Sequence, residues 1–121
     1  MKIFKNKLFH QWTKKIGLEN KLLEMAINEI SVGLHNGKLG GLLYKKRIGI
    51  KGKGKRSSLR TIVAFKKEDK AFFVYGYAKN ARANIDGKEK QVLLKLAKLY
   101  FSYSDSQITE AINMGKFIEV L

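Results

Sequence analysis

The sequence predicts an α+β fold: an N-terminal helical hairpin packed on a mainly antiparallel sheet of four to five strands, followed by a C-terminal helix or helices. Three observations carry that reading. Apolar residues recur at helical spacing up to about residue 34, at strand spacing from about Gly41 to Ala78, and at helical spacing again after Asp86. The β segments are joined by connections too short for the crossovers that parallel neighbours need, which favours a meander. A chain of 121 residues, 45% of them apolar, suits one domain over residues 1–121 with a single modest core.

The elements follow in order. Leu8, Phe9, Trp12 and Ile16 form the stripe of a first helix, with Gly17 placed to end it. A second helix is expected over about residues 19–34 on Leu23, Ile27, Ile30 and Leu34, broadened by Leu22 and Ala26. The joint Gly17-Leu18 is short enough to make the two helices an antiparallel pair. Asn36-Gly37 then breaks the chain. Leu42, Tyr44, Lys46 and Ile48 alternate with Leu43, Lys45 and Arg47, and Leu59, Thr61, Val63 and Phe65 alternate with Arg60, Ile62 and Ala64. After the polar turn Lys67–Lys70, AFFVYGYA (Ala71–Ala78) reads as a third and well-buried strand. Asp86 with Glu89 has the spacing of a capping box, and Leu93, Leu94, Ala97, Tyr100 and Phe101 give the following helix its apolar face. Ser104 with Gln107 repeats the box before a short helix that stops at Gly115. MKIF at the start and FIEVL at the end offer two further strands.

Charge narrows the function. Twenty-five Lys and Arg oppose ten Asp and Glu, a formal balance of +15. From Lys38 to Lys67 there are eleven cations and no acid. Such a field gathers polyanions, so a nucleic-acid partner is expected, ahead of an acidic protein. No apolar run approaches the roughly 20 residues that span a bilayer, so no membrane partner is expected. The N-terminus lacks the apolar core of a secretory signal. The absence of cysteine excludes disulfides and thiolate metal sites and suits a cytoplasmic setting.

The stretch GIKGKGKRSSLR (Gly49–Arg60) contains the G-x-x-x-x-G-K core of a nucleotide-binding loop. That loop needs a helix behind its glycines to hold the phosphates. Here a period-two, β-branched segment follows, and Arg56 stands where the magnesium-binding hydroxyl belongs. The stretch is therefore a cationic hairpin connection.

Its chemistry comes from the cations it gathers. Lys51, Lys53 and Lys55 lie on the loop between glycines that allow close approach of a ligand. Arg56 follows, Arg60 lies in the next strand beside Ile62 and Ala64, and Lys79 and Arg82 leave the third strand near it. This set has no carboxylate cluster with which to hold a metal, so no metal or other cofactor is expected. It suits electrostatic stabilisation of the phosphorane formed when an RNA 2′-hydroxyl attacks the adjacent phosphate. Crowded lysines lower one another's pKa, so Lys53 or Lys55 is the candidate base, with Arg60 and Arg82 clamping the phosphate. Lys45, Lys46, Arg47, Lys51, Arg56 and Lys79 are read as RNA-binding. His10 reads as a partly buried helix residue and His35 as a helix-terminal one. Tyr44, Tyr75 and Tyr77 offer stacking faces, although strand aromatics ordinarily fill a core.

The helical hairpin, the segment LGGLLYKKRIGIKGKGKRSSLRTIVAFKKEDKAFFVYGYAKN and the end helix together resemble the RelE/ParE superfamily of bacterial toxins. The RelE branch paired with helix-turn-helix antitoxins is the nearest in pattern, and the resemblance spans nearly the whole chain. The most telling pieces are RTIVAF (Arg60–Phe65) and FFVYGYAKN (Phe72–Asn80). The resemblance implies a cytoplasmic, ribosome-dependent endonuclease acting on mRNA, held in check by a cognate antitoxin that covers the basic groove. It assigns loop lysines to Lys53 and Lys55, a strand arginine to Arg60, and a following arginine to Lys79 or Arg82. The position after Lys79 is Asn80, so Arg82 must serve there; the downstream Tyr or His of some relatives has no counterpart in NIDGKEK. Two alternatives stay open: a ParE-like gyrase inhibitor of the same fold, and an RNA-binding module without catalysis. On this scheme the hairpin covers one face of the sheet and the basic groove lies on the other.

Overall fold

Alternation from Leu43 to Ala78 builds the centre of a single sheet. In the computed structural model, which describes residues 1–49 and 58–120, β3 (Leu43–Ile48), β4 (Leu59–Lys66) and β5 (Lys70–Ala78) pair antiparallel in sequence. β1 (Lys2–Asn6) lies parallel to β5 on the far side, and β6 (Phe117–Glu119) pairs antiparallel with β1. β2 (Lys38–Gly40) edges β3. Among the described residues the order is β2-β3-β4-β5-β1-β6, a six-stranded, mostly antiparallel sheet with four helices. The expectation of four to five strands falls short because three residues of edge strand carry too little alternation to be read.

The helices start and stop for local reasons. α1 (Lys7–Ile16) is capped by Asn6, whose side chain accepts from the Phe9 amide, and ends at Gly17 with φ of 72°. That left-handed turn is open to glycine at little cost. α2 (Asn20–Ser31) ends before the Leu34 expected of it, and Leu34 is exposed. α3 (Gly87–Ser102) and α4 (Asp105–Asn113) both open on complete capping boxes, Asp86 with Glu89 and Ser104 with Gln107. Each box satisfies amides that the helix itself cannot, a contribution of about 1 kcal/mol.

The hairpin α1–α2 packs Phe9, Leu23, Ala26, Ile27 and Ile30 against Ile3, Ile48, Val63, Phe65 and Phe73. Two lysines on that face are also buried, and each ties down one end of α2. Lys5 Nζ donates to Asn20 Oδ1 at 3.0 Å, and Lys46 Nζ donates to the Leu34 carbonyl at 2.9 Å and approaches Glu29 at 3.3 Å. The opposite face is not the free groove that was expected. α3 and α4 cover part of it, setting Leu93, Ala97, Tyr100, Ile108 and Ala111 on Phe4, Ile62, Ala64, Phe72 and Phe117. Cations of that face are left at the end where β3 and β5 finish and β4 begins.

Candidate functional site

The antiparallel register lines up Arg47 on β3, Arg60 on β4 and Tyr77 on β5, with Lys45, Ile62 and Tyr75 as the neighbouring row. Because alternate strand residues share a face, all six lie on the α3 side of the sheet. Arg47 is exposed and Lys45 half-buried. Arg60 and Tyr77 are 7% and 5% exposed. The Arg60 Nη1 and the Tyr77 hydroxyl are both buried and find no hydrogen-bond partner among the described residues. Buried polar groups are nearly always paired in native proteins, so two orphans on adjacent residues point to a ligand or an ordered water between them. Burial pushes the Tyr77 phenol up, against the opposing influence of Arg60 and then Arg82. The hydroxyl therefore keeps its proton and can donate.

Arg82 closes the other side. The chain turns tightly after β5, with the Ala81 and Arg82 amides donating to the Ala78 carbonyl at 3.0 and 3.3 Å. The Arg82 guanidinium then forms a two-pronged pair with Glu89, Nη1 to Oε2 at 2.7 Å and Nη2 to Oε1 at 2.5 Å. Nη1 also donates to the Tyr75 hydroxyl at 3.1 Å, Nε donates to the Asn84 carbonyl at 3.0 Å, and the group sits 5.7 Å from the Tyr77 ring centroid. Hydrogen bonding to Arg82, then the Asp86 amide, holds the Glu89 carboxyl down at about 2, while Glu89 and then Tyr75 raise Arg82. The carboxylate that completes the α3 capping box is thus the one that neutralises Arg82 (Asp86 amide to Glu89 Oε1, 3.0 Å).

The structure brings Arg60, Arg82, Lys45 and Arg47 to one end of the sheet, with Lys79 exposed in the adjoining turn. Lys46 is not among them. It points to the hairpin face, 7% exposed and engaged with Leu34 and Glu29, because strand alternation sends it opposite to Lys45 and Arg47. Lys51, Lys53, Lys55 and Arg56 lie outside the described residues. His10 is half-buried on α1, where burial and then the charges of Lys5 and Lys14 hold its pKa below the ordinary histidine value. His35 accepts from the Gly37 amide at 3.2 Å and meets the edge of Tyr44, so it shapes the turn after α2. Sequence reasoning missed Glu89 as part of the cluster, although its capping box was legible seven residues beyond Arg82. It also weighed Tyr77 only as a stacking or core ring; its pairing with Arg60 across two strands is a matter of register.

Among the described residues no helix is long and apolar enough to cross a membrane. No curated protein sequence matches the chain. The family model described as the RelE toxin of the RelE/RelB toxin–antitoxin system matches residues 1–120. That match covers the sheet, the hairpin and every arginine discussed above, and it agrees with the α+β architecture and the excess of cations. The chain belongs to the RelE toxin family, the toxin half of a toxin–antitoxin pair.

Proposed function

We propose that this toxin is a ribosome-dependent mRNA endonuclease acting in the cytoplasm as one domain, and that its cognate antitoxin is of the helix-turn-helix kind. The observation that carries the reading is Arg60, a buried guanidinium at a basic sheet end with a nitrogen that has no partner among the described residues, in a chain of this family. Arg60 holds a non-bridging oxygen of the scissile phosphate. The RNA 2′-hydroxyl attacks phosphorus, its proton passing to one lysine of the Lys53/Lys55 pair. The bond from phosphorus to the 5′-oxygen breaks as the other, protonated lysine supplies a proton to the leaving oxygen. The products are a 2′,3′-cyclic phosphate and a 5′-hydroxyl. Arg82 stabilises the developing charge once the phosphate displaces Glu89 from it, and Lys45, Arg47, Lys51, Arg56 and Lys79 track the RNA backbone.

A second reading, RNA binding without cleavage, draws on the Arg82–Glu89 pair, which already occupies the second arginine. Programmed ribosomes with mRNA separate the two. Cuts in the message that need the ribosome and vanish in Arg60→Ala support the endonuclease. Intact message at stoichiometric toxin, with RNA retained on the protein, supports the binding module.

A further inference from the structure

The Tyr77 hydroxyl has no task in the scheme above. It is buried, it keeps its proton, and it has no partner among the described residues. Its cross-strand partner is Arg60, whose Nη1 is in the same condition. A structural tyrosine of the same protein shows the contrast: the Tyr100 hydroxyl, also buried, accepts from Asn6 Nδ2 at 3.4 Å. Tyr75 beside it accepts from Arg82. An unpaired phenol packs no better than a phenylalanine, so the hydroxyl is open to a ligand or an ordered water, and the Arg60 guanidinium beside it favours a charged ligand over water. A ligand that accepts from both orphans and carries negative charge suits them best, since the phenol can donate and the guanidinium only donates, with no carboxylate paired to it among the described residues.

We propose that Tyr77 is a substrate-contacting residue, its hydroxyl and Arg60 Nη1 forming a two-point cradle for one non-bridging phosphoryl oxygen of RNA. This rests on the reading of Arg60 as a phosphate ligand and adds to it the second donor. The cradle is rigid. Both residues sit within the β4–β5 ladder and not on a loop, so the donors are held in place before the phosphate arrives. Arg82, clamped by Glu89, lies 5.7 Å from the centroid of the Tyr77 ring and packs against it.

The test is Tyr77→Phe, which removes one oxygen and leaves the ring and the net charge alone. The probe is a fluorescent 2′-O-methyl oligoribonucleotide, which has the phosphates of RNA and no nucleophile. Anisotropy should show its affinity falling about tenfold, the size of one lost hydrogen bond to a charged group. The slope of affinity against salt should stay the same, because no cation is lost. The melting temperature should hold or rise, because a buried unpaired hydroxyl is a cost that the variant removes. Unchanged affinity overturns the cradle. So does a fall in melting temperature, which marks the hydroxyl as structural. Should the variant fail to fold, wild-type protein labelled at tyrosine Cζ serves instead: the Tyr77 resonance must move when the same oligonucleotide binds, and a static resonance overturns the proposal. The readout is binding, so it stands apart from cleavage. Weakened binding without any ribosomal cut would retain the cradle and reject the endonuclease; cleavage with unaltered Tyr77→Phe would do the reverse.

Discussion

Lys46 and Arg60 are buried to the same degree, on neighbouring strands of one sheet, and they teach opposite lessons. Lys46 faces the hairpin and is satisfied there by the Leu34 carbonyl and by Glu29. Arg60 faces the α3 side and keeps one nitrogen unpaired among the described residues. A buried cation with partners is part of the architecture, whereas one with a nitrogen left over has capacity for a further ligand or a water. The buried cations of the two faces differ in this respect, although His10 Nδ1 on α1 also lacks a partner among the described residues. On the hairpin face Lys5 and Lys46 pin the two ends of α2, and Gly76 allows the Trp12 ring to lie against the strand, where a Cβ would stand 2.2 Å from it. On the α3 side the cations crowd at a strand end and stay available, Arg82 excepted.

Exchanging each cation for methionine, a side chain of similar length, breaks or sharpens this contrast. Arg60→Met should lower ribosome-dependent cleavage by about 10²- to 10³-fold, as loss of one preorganised charge-stabilising donor does. Its melting temperature should not fall, since a buried donor without a partner among the described residues disappears. Lys46→Met should leave cleavage per folded molecule unaltered; a loss matching that of Arg60→Met would erase the distinction. Next in size is Gly76→Ala. The methyl group must displace the indole of Trp12, at about 1–3 kcal/mol, measurable as a lower denaturant midpoint with the RNA affinity retained. Lys46→Met itself should lower stability by roughly 1.5–3 kcal/mol, the range for a hydrogen bond to a charged group, again by denaturant titration.

The smallest effect concerns pH. Glu89 is held at about 2 against an ordinary value of 4.5. A depressed carboxyl stabilises the fold fully above its unfolded value, and that contribution is lost as pH falls from there through about 2. The carboxyl resonance of Glu89 should therefore titrate near 2 in the wild type and return toward 4.5 in Arg82→Met. A wild-type midpoint near 4.5 would show the pair to be solvent-separated. Both groups are one-third exposed, so the stability change should be small and should shrink with salt.

Much of the fold was legible because its signals are local. Gly17, the boxes at Asp86 and Ser104, and the change of period at Gly41 each act within a few residues. The short edge strand β2 and the early end of α2 were not, since three residues of pairing and a helix terminus are decided by neighbours far along the chain. The site divides in the same way. Arg60 drew notice because a cation stood among apolar strand residues. Lys46, in an equally suggestive run, was grouped with Lys45 and Arg47, although alternation alone sends it to the other face.

By itself, the sequence determined the helices and the strands other than β2, the excess of cations and the failure of the nucleotide-loop motif, all of which follow from composition and short-range periodicity. Only the tertiary structure decided which cations serve the architecture and which keep a nitrogen without a partner among the described residues. Burial and hydrogen bonding depend on the register between strands and on which helix covers which face. It was the register that set Tyr77 beside Arg60, and the packing of α3 that turned a capping carboxylate into the partner of Arg82.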